Sequence, residues 1–229
     1  MIGPMGRALD DHARGRLLAI FERGAEEAST ALSRWLGQPA TLRTAEVSEV
    51  ELAEASELLG PADGLVAACS MGLNGRITGQ ILLVFEDRSG LALADLLLRQ
   101  PEGTATAWGE LERSAANETA NIVGCAYLNS LAAGLPGSTE AGGGTDETIH
   151  PSPPSFRHEF AGSLLEFALM DQVLSLDRLL LAKTRFEVEA RSLNWSLLLV
   201  PSGKSLGWLA SVLSDAGDSP SRATRGALP

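Results

Sequence analysis

Aromatic side chains make up only 5% of the 229 residues, with a single tyrosine, so the interior has to rest on Leu, Val, Ile and Ala. Cysteine is scarce as well: Cys69 and Cys125 stand far apart, each inside an apolar or small-residue stretch. That excludes a disulfide framework and a thiolate zinc site and leaves two buried free thiols as the expectation. Basic residues are outnumbered, 18 Lys and Arg against 29 Asp and Glu, for a net charge of −11. With no basic patch to release counterions, nucleic acid and anionic lipid are poor partners, and a protein partner is expected. No apolar run approaches the ~20 residues that cross a bilayer, so no membrane insertion is expected. The first residues, with Arg7, Asp10 and Asp11, also lack the apolar stretch of a secretion signal, and the expected location is the cytoplasm. His12, His150 and His158 offer no nucleophile–base pair and no third metal ligand, so loop-surface positions are expected for the latter two. Gly142-Gly143-Gly144 has no following Lys-Ser/Thr and no preceding strand, and reads as a linker rather than a phosphate loop.

What is present is an ordinary core composition, 45% hydrophobic with 21% charged residues. From about Leu9 to Leu36 apolar residues recur at helical spacing until Gly37 and Pro39 stop the run. A shorter helix is expected from a cap at Ser48 through Glu51, Glu54 and Leu58 to Gly60-Pro61. Two strands follow, Gly64 to Leu73 and Ile77 to Phe85, with Asn74-Gly75 as the expected hairpin turn. Residues 88–98 read as another helix.

After Gln100-Pro101-Glu102-Gly103 the series begins again. The helix from Trp108 to Ala133 falls on the first one at an offset of 99, with Leu131 on Leu32 and Leu135 on Leu36. Leu197-Leu198-Leu199-Val200 falls on Leu82-Leu83-Val84-Phe85 at an offset of 115. The growing offset requires an insertion, for which the Gly-rich segment Ser138 to Thr148 is the evident place. Phe160 to Val173 then reads as the second copy of the short helix, and Leu179 to Glu189 with Asn194 to Val200 as the second strand pair. The expected architecture is α+β: one domain over residues 1–214 made of two α-β-α-β-β-α repeats, about 9–99 and 107–214, whose strands share a mixed or antiparallel sheet. Residues 215–229, rich in Ser, Gly, Pro and Arg, are expected to form a disordered tail.

On a helical wheel the second long helix is apolar on two sides, with Leu111 counted among its apolar positions. The remaining strip holds Glu110, Ser114, Asn117, Glu118 and Asn121. Ser114, Glu118 and Asn121 are spaced so that neighbouring Cβ atoms lie about 5–6 Å apart, which puts a carboxylate and a carboxamide on one edge.

Ser114-x-x-x-Glu118-x-x-Asn121-x-x-Gly124 resembles the Asp/Ser-x-x-x-Glu-x-x-Asn signature of the CheC, CheX and FliY phosphatase family. The helix continues as in that family through Ile122-Val123-Gly124-Cys125-Ala126-Tyr127-Leu128, and Pro154 in Ser152-Pro153-Pro154 fits the proline that opens the following strand region. Thr30-Ala31-Leu32-Ser33, Gly75-x-x-x-Gly79 ahead of Leu82-Leu83, and the duplicated layout extend the resemblance over about residues 10–214. It implies a hydrolase that removes the aspartyl phosphate of a CheY-type response regulator in chemotaxis or related two-component signalling. In the first repeat, Gly15, Ala19 and Glu22 occupy the places of Ser114, Glu118 and Asn121, and Ala45 that of the proline, so one site per chain is expected.

Hydrolysis of an acyl phosphate needs chiefly an in-line water and charge neutralisation. A carboxamide can accept from that water and donate to its surroundings, which suits Asn121. The resemblance implies that Glu118 pairs with the receiver's active-site lysine, making Glu118 and Asn121 the catalytic pair, with Ser114 and Asn117 in contact with the substrate. No clustered carboxylates would hold a cation here, so no cofactor is expected on this chain and Mg2+ is expected on the response regulator. The same fold also allows a non-catalytic adaptor that binds a response regulator, a CheD-type receptor deamidase or a flagellar switch component.

Overall fold

Helix α1 (Asp11–Leu36) begins where the Asp10 carboxylate accepts the Ala13 backbone N–H at 2.7 Å, and ends where Gly37 turns left-handed at φ 72°. In the computed structural model, which describes residues 8–51, 59–135, 148–164, 178–188 and 191–215, this helix lies across one face of a seven-stranded antiparallel sheet. Strand β1 (Ala40–Glu51) follows it, then the hairpin β2 (Leu65–Gly75) and β3 (Gly79–Glu86), and helix α2 (Asp87–Leu97). The second series runs α3 (Glu110–Gly134), the short strands β4 (Ile149–Pro151) and β5 (Ser155–Phe160), the hairpin β6 (Arg178–Val188) and β7 (Arg191–Pro201), and α4 (Gly203–Asp215).

The strand order is β1-β6-β7-β3-β2-β4, with β5 also on β2. The two central strands β3 and β7 pair Leu82 with Leu198 and Leu83 with Leu197, joining the hairpins of the two series back to back. Each series lends its remaining strand to the other: β1 pairs β6, and β4 and β5 pair β2. The two long helices pack side by side over the sheet. At the crossing Gly24 leaves room for the Tyr127 backbone, where an added Cβ would stand 2.9 Å from the Tyr127 Cα. The Tyr127 ring meets Phe21 edge-on at 5.3 Å, and its hydroxyl lies 2.8 Å from Thr44 Oγ1. Buried α1 residues Leu17, Phe21, Ala28 and Leu32 fall, at the offset of 99, on buried α3 residues Ala116, Ala120, Tyr127 and Leu131.

Several expectations shift. Ser48–Glu51, expected to open a helix, are the end of β1 and pair with Leu181–Arg178; the rest of that expected helix lies outside the described residues. Asn74-Gly75 is not a tight two-residue turn: the β2–β3 ladder ends at Leu73 and Gly79, and within that longer connection both residues extend β2 to pair with His150 and Ile149 of β4. His150 and His158 sit on strands β4 and β5 rather than on loops. Asp215 closes α4, so of the expected tail only residues 216–229 remain, outside the described part. The helix expected from Phe160 is helical at 161–164, and its continuation, like most of Ser138–Thr148, lies outside the described residues.

Candidate functional site

Helix α3 is held in place from its N-terminal side. Asp95, fully buried at the end of α2, accepts the backbone N–H groups of Gly103, Thr104 and Ala105 at 2.7, 3.1 and 2.8 Å. Those three bonds fold the connection that delivers Trp108. The Trp108 indole N–H donates to Asp87 Oδ1 at 2.7 Å, and its ring packs on Phe156 of β5 at 4.9 Å. His158 Nε2 also comes within 2.9 Å of Asp87 Oδ1, an ion pair when the imidazole is protonated, though poorly aligned for a hydrogen bond.

Beyond Trp108 a groove of about 870 Å³ runs between α3 and the Pro151-Ser152-Pro153-Pro154 segment, which ends β4 and leads into β5. Its helical wall carries Glu110, Arg113, Ser114, Asn117, Glu118 and Asn121, so all four residues singled out from the sequence share one groove. Ser114, Glu118 and Asn121 are exposed. Asn117 is half-buried, and its carboxamide oxygen has neither solvent contact nor a hydrogen-bond partner, an acceptor still owed a donor. Asn121 Oδ1 accepts from the Cys125 thiol one turn on, at 3.6 Å. The groove's far wall is fixed by Ser152, whose hydroxyl oxygen accepts the Gly72 N–H at 2.9 Å while its own N–H donates to the Gly72 carbonyl.

Two features depart from the sequence reading. Cys125 is only half-buried, not a core thiol; desolvation raises its pKa and the Glu118 charge raises it further. Leu111 is not packed on an apolar side but stands 61% exposed beside the polar strip. Arg113 was not singled out from the sequence, because a wheel drawn for carboxylates and amides gives no weight to a cation at the strip's border. Among the described residues no three His, Cys, Asp or Glu side chains converge as metal ligands, and no helix is long and apolar enough to cross a membrane.

The sequence matches no protein-family model and no curated protein. Its backbone superimposes on FliY of Thermotoga maritima with a TM-score of 0.71, over 91% of this chain and 98% of that one, at 18% identity. The fold is that of FliY and FliM. FliM of H. pylori, solved with SpeE, matches with a TM-score of 0.63 at 12% identity over 90% of this chain and 98% of its own. FliM solved with FliG matches at 0.58 and 10% identity, over 87% and 100%. On this FliY-like fold the strip of α3 faces outward at one edge of the molecule, against the proline segment.

Proposed function

We propose that this protein hydrolyses the aspartyl phosphate of a CheY-type response regulator at the groove between α3 and Pro151–Pro154. The observation that carries this reading is the exposure of Ser114, Glu118 and Asn121 on one helix edge, together with their resemblance to the signature of the CheC, CheX and FliY phosphatases. Sites for small substrates enclose most of the ligand surface, and an open groove does not. An exposed strip suits a phosphoryl group that arrives on a protein surface, where the partner itself excludes bulk water and brings its divalent cation.

The chemistry divides accordingly. The Asn121 carboxamide holds the attacking water in line with the phosphorus, accepting from the water through Oδ1 or donating through its NH2 group. Glu118, one turn away, pairs with a lysine of the partner and fixes its orientation. Ser114 and Asn117 line the approach, Ser114 from the exposed edge and Asn117 from the half-buried position beside it. A group that only positions water and charge is worth roughly 10²- to 10³-fold in rate. Asn121→Ala should therefore slow decay of a phosphorylated receiver by about that factor with the thermal melt unchanged. Decay as fast with Asn121→Ala as with the unaltered protein would refute the assignment.

A second reading is favoured by the solved complexes of FliM with FliG and with SpeE, which put the same fold to work in protein–protein assembly. There the groove would bind a response regulator, a CheD-type deamidase or a flagellar switch component without chemistry. Binding of a receiver with no acceleration of its dephosphorylation supports this adaptor reading over the phosphatase.

A further inference from the structure

Arg113 is the one cation among the groove's lining residues. Its Nε–H donates to the Trp108 carbonyl at 2.9 Å, and its guanidinium carbon lies 5.8 Å from the centre of the Phe156 ring. These contacts hold the plane of the fork and spend only one of its donors. Among the described residues no carboxylate pairs with it, whereas Arg14, its counterpart in α1 at the offset of 99, is paired with Asp11. A guanidinium held in this way presents a planar, two-pronged donor face with little entropy left to lose. The other charges of the groove, Glu110 and Glu118, are negative, so an anionic group on a partner is attracted only at Arg113.

Helix geometry decides which anion that is. Arg113 and Asn121 are eight residues apart, roughly 12 Å along the axis. Long side chains on a helix lean toward its N-terminus, and the bond to Trp108 draws Arg113 the same way, away from Asn121. A phosphoryl group seated at Asn121 is out of its reach. We infer that Arg113 is a specificity-determining residue that takes a carboxylate on the surface of the partner protein, at a second point roughly 12 Å from the reacting phosphoryl group. This rests on the proposed phosphatase reading of α3. Two fixed points on one rigid helix set the angle at which a receiver docks, and a receiver without an acidic residue at that spacing is discriminated against.

The test is steady-state turnover of a phosphorylated CheY-type receiver by the unaltered protein and by Arg113→Gln and Arg113→Lys, with thermal melts to confirm folding. Losing a charge-assisted hydrogen bond should raise KM about tenfold in Arg113→Gln, with kcat within about twofold. Arg113→Lys should recover part of the loss, and added salt should raise KM for the unaltered protein more steeply than for Arg113→Gln. A fall in kcat at constant KM would place Arg113 at the reacting phosphoryl group and overturn the inference, as would an unchanged KM. If even the unaltered protein gives no turnover, it is the phosphatase reading that fails, and calorimetry with a beryllofluoride-activated receiver carries the test. There an approximately tenfold weaker Kd for Arg113→Gln supports the docking role, and an equal Kd or no binding by either protein overturns it.

Discussion

Cys125 ties its chemistry to the site through two neighbours on the same helix edge. Its thiol donates to Asn121 Oδ1, and its pKa is raised first by desolvation and then by the Glu118 charge. A raised thiol pKa means less thiolate at neutral pH, so Cys125 acts there as a donor and not as a nucleophile. Alkylation by iodoacetamide should accordingly be slow near neutrality and accelerate as pH rises past the ordinary thiol range. Glu118→Gln removes the anion, lowers the pKa, increases the thiolate fraction and should speed alkylation several-fold. Cys69, pushed up to about 12 by burial, should stay unmodified in the folded protein and so leaves the reading to Cys125 alone. Mass-spectrometric rates across a pH series give the comparison, and equal rates with and without Glu118 would show that its charge does not reach the sulfur.

At the scale of elements, the site depends on how α3 is delivered. Asp95 receives three backbone donors from the connection between α2 and α3, and hydrogen bonds to a charged acceptor are the strong kind. Asp95→Ala should cost about 2–4 kcal/mol in a denaturant melt, with Asp95→Asn intermediate because only its oxygen still accepts. A loss below about 0.5 kcal/mol, the range of ordinary surface changes, would mean the connection holds itself. The strip on α3 was legible in the sequence because a helix period is local and Ser114, Glu118 and Asn121 keep it. So were the long helices and both hairpins. Strand β1 was not, for a physical reason: Ala40, Leu42 and Thr44 are buried on one parity, a bulge intervenes between Thr44 and Glu46, and Val47 is buried on the other. The alternation that marks a strand is broken in its middle, and Ser48 with its trailing glutamates then imitates a helix cap. The proline wall of the groove was legible only as a strand opening at Pro154. That β4 and β5 share one edge of β2 is a pairing across some 80 residues of sequence, which no local pattern records. The connection at Asn74-Gly75 is longer than a two-residue turn through the same pairing, since β4 holds both residues in β2.

For the whole molecule, the exchange of strands between the two series decides what stands opposite each strip. Following the ladder outward from β3 and β7 places Ser152-Pro153-Pro154 where β1 has Thr44-Ala45-Glu46, so that Glu46 and not the expected Ala45 takes the place of Pro154. Both edges slip register by one residue at this place. In β1 the slip is a bulge within a continuous strand; in the second series it is a proline break that separates β4 from β5 and stands opposite α3 as a wall. Gly15, Ala19 and Glu22 are exposed on α1, and a Cβ added at Gly15 meets nothing within 4 Å, so the lost strip can be rebuilt without disturbing the core. Replacing an exposed helix glycine should stabilise α1 by up to about 1 kcal/mol. The rebuilt strip would still face an unbroken strand edge and an arginine, Arg14, already committed to Asp11. Gly15→Ser, Ala19→Glu and Glu22→Asn combined with Asn121→Ala should therefore fold and recover no dephosphorylation of the receiver. Recovered turnover would mean that three side chains on a helix suffice without a proline wall opposite them.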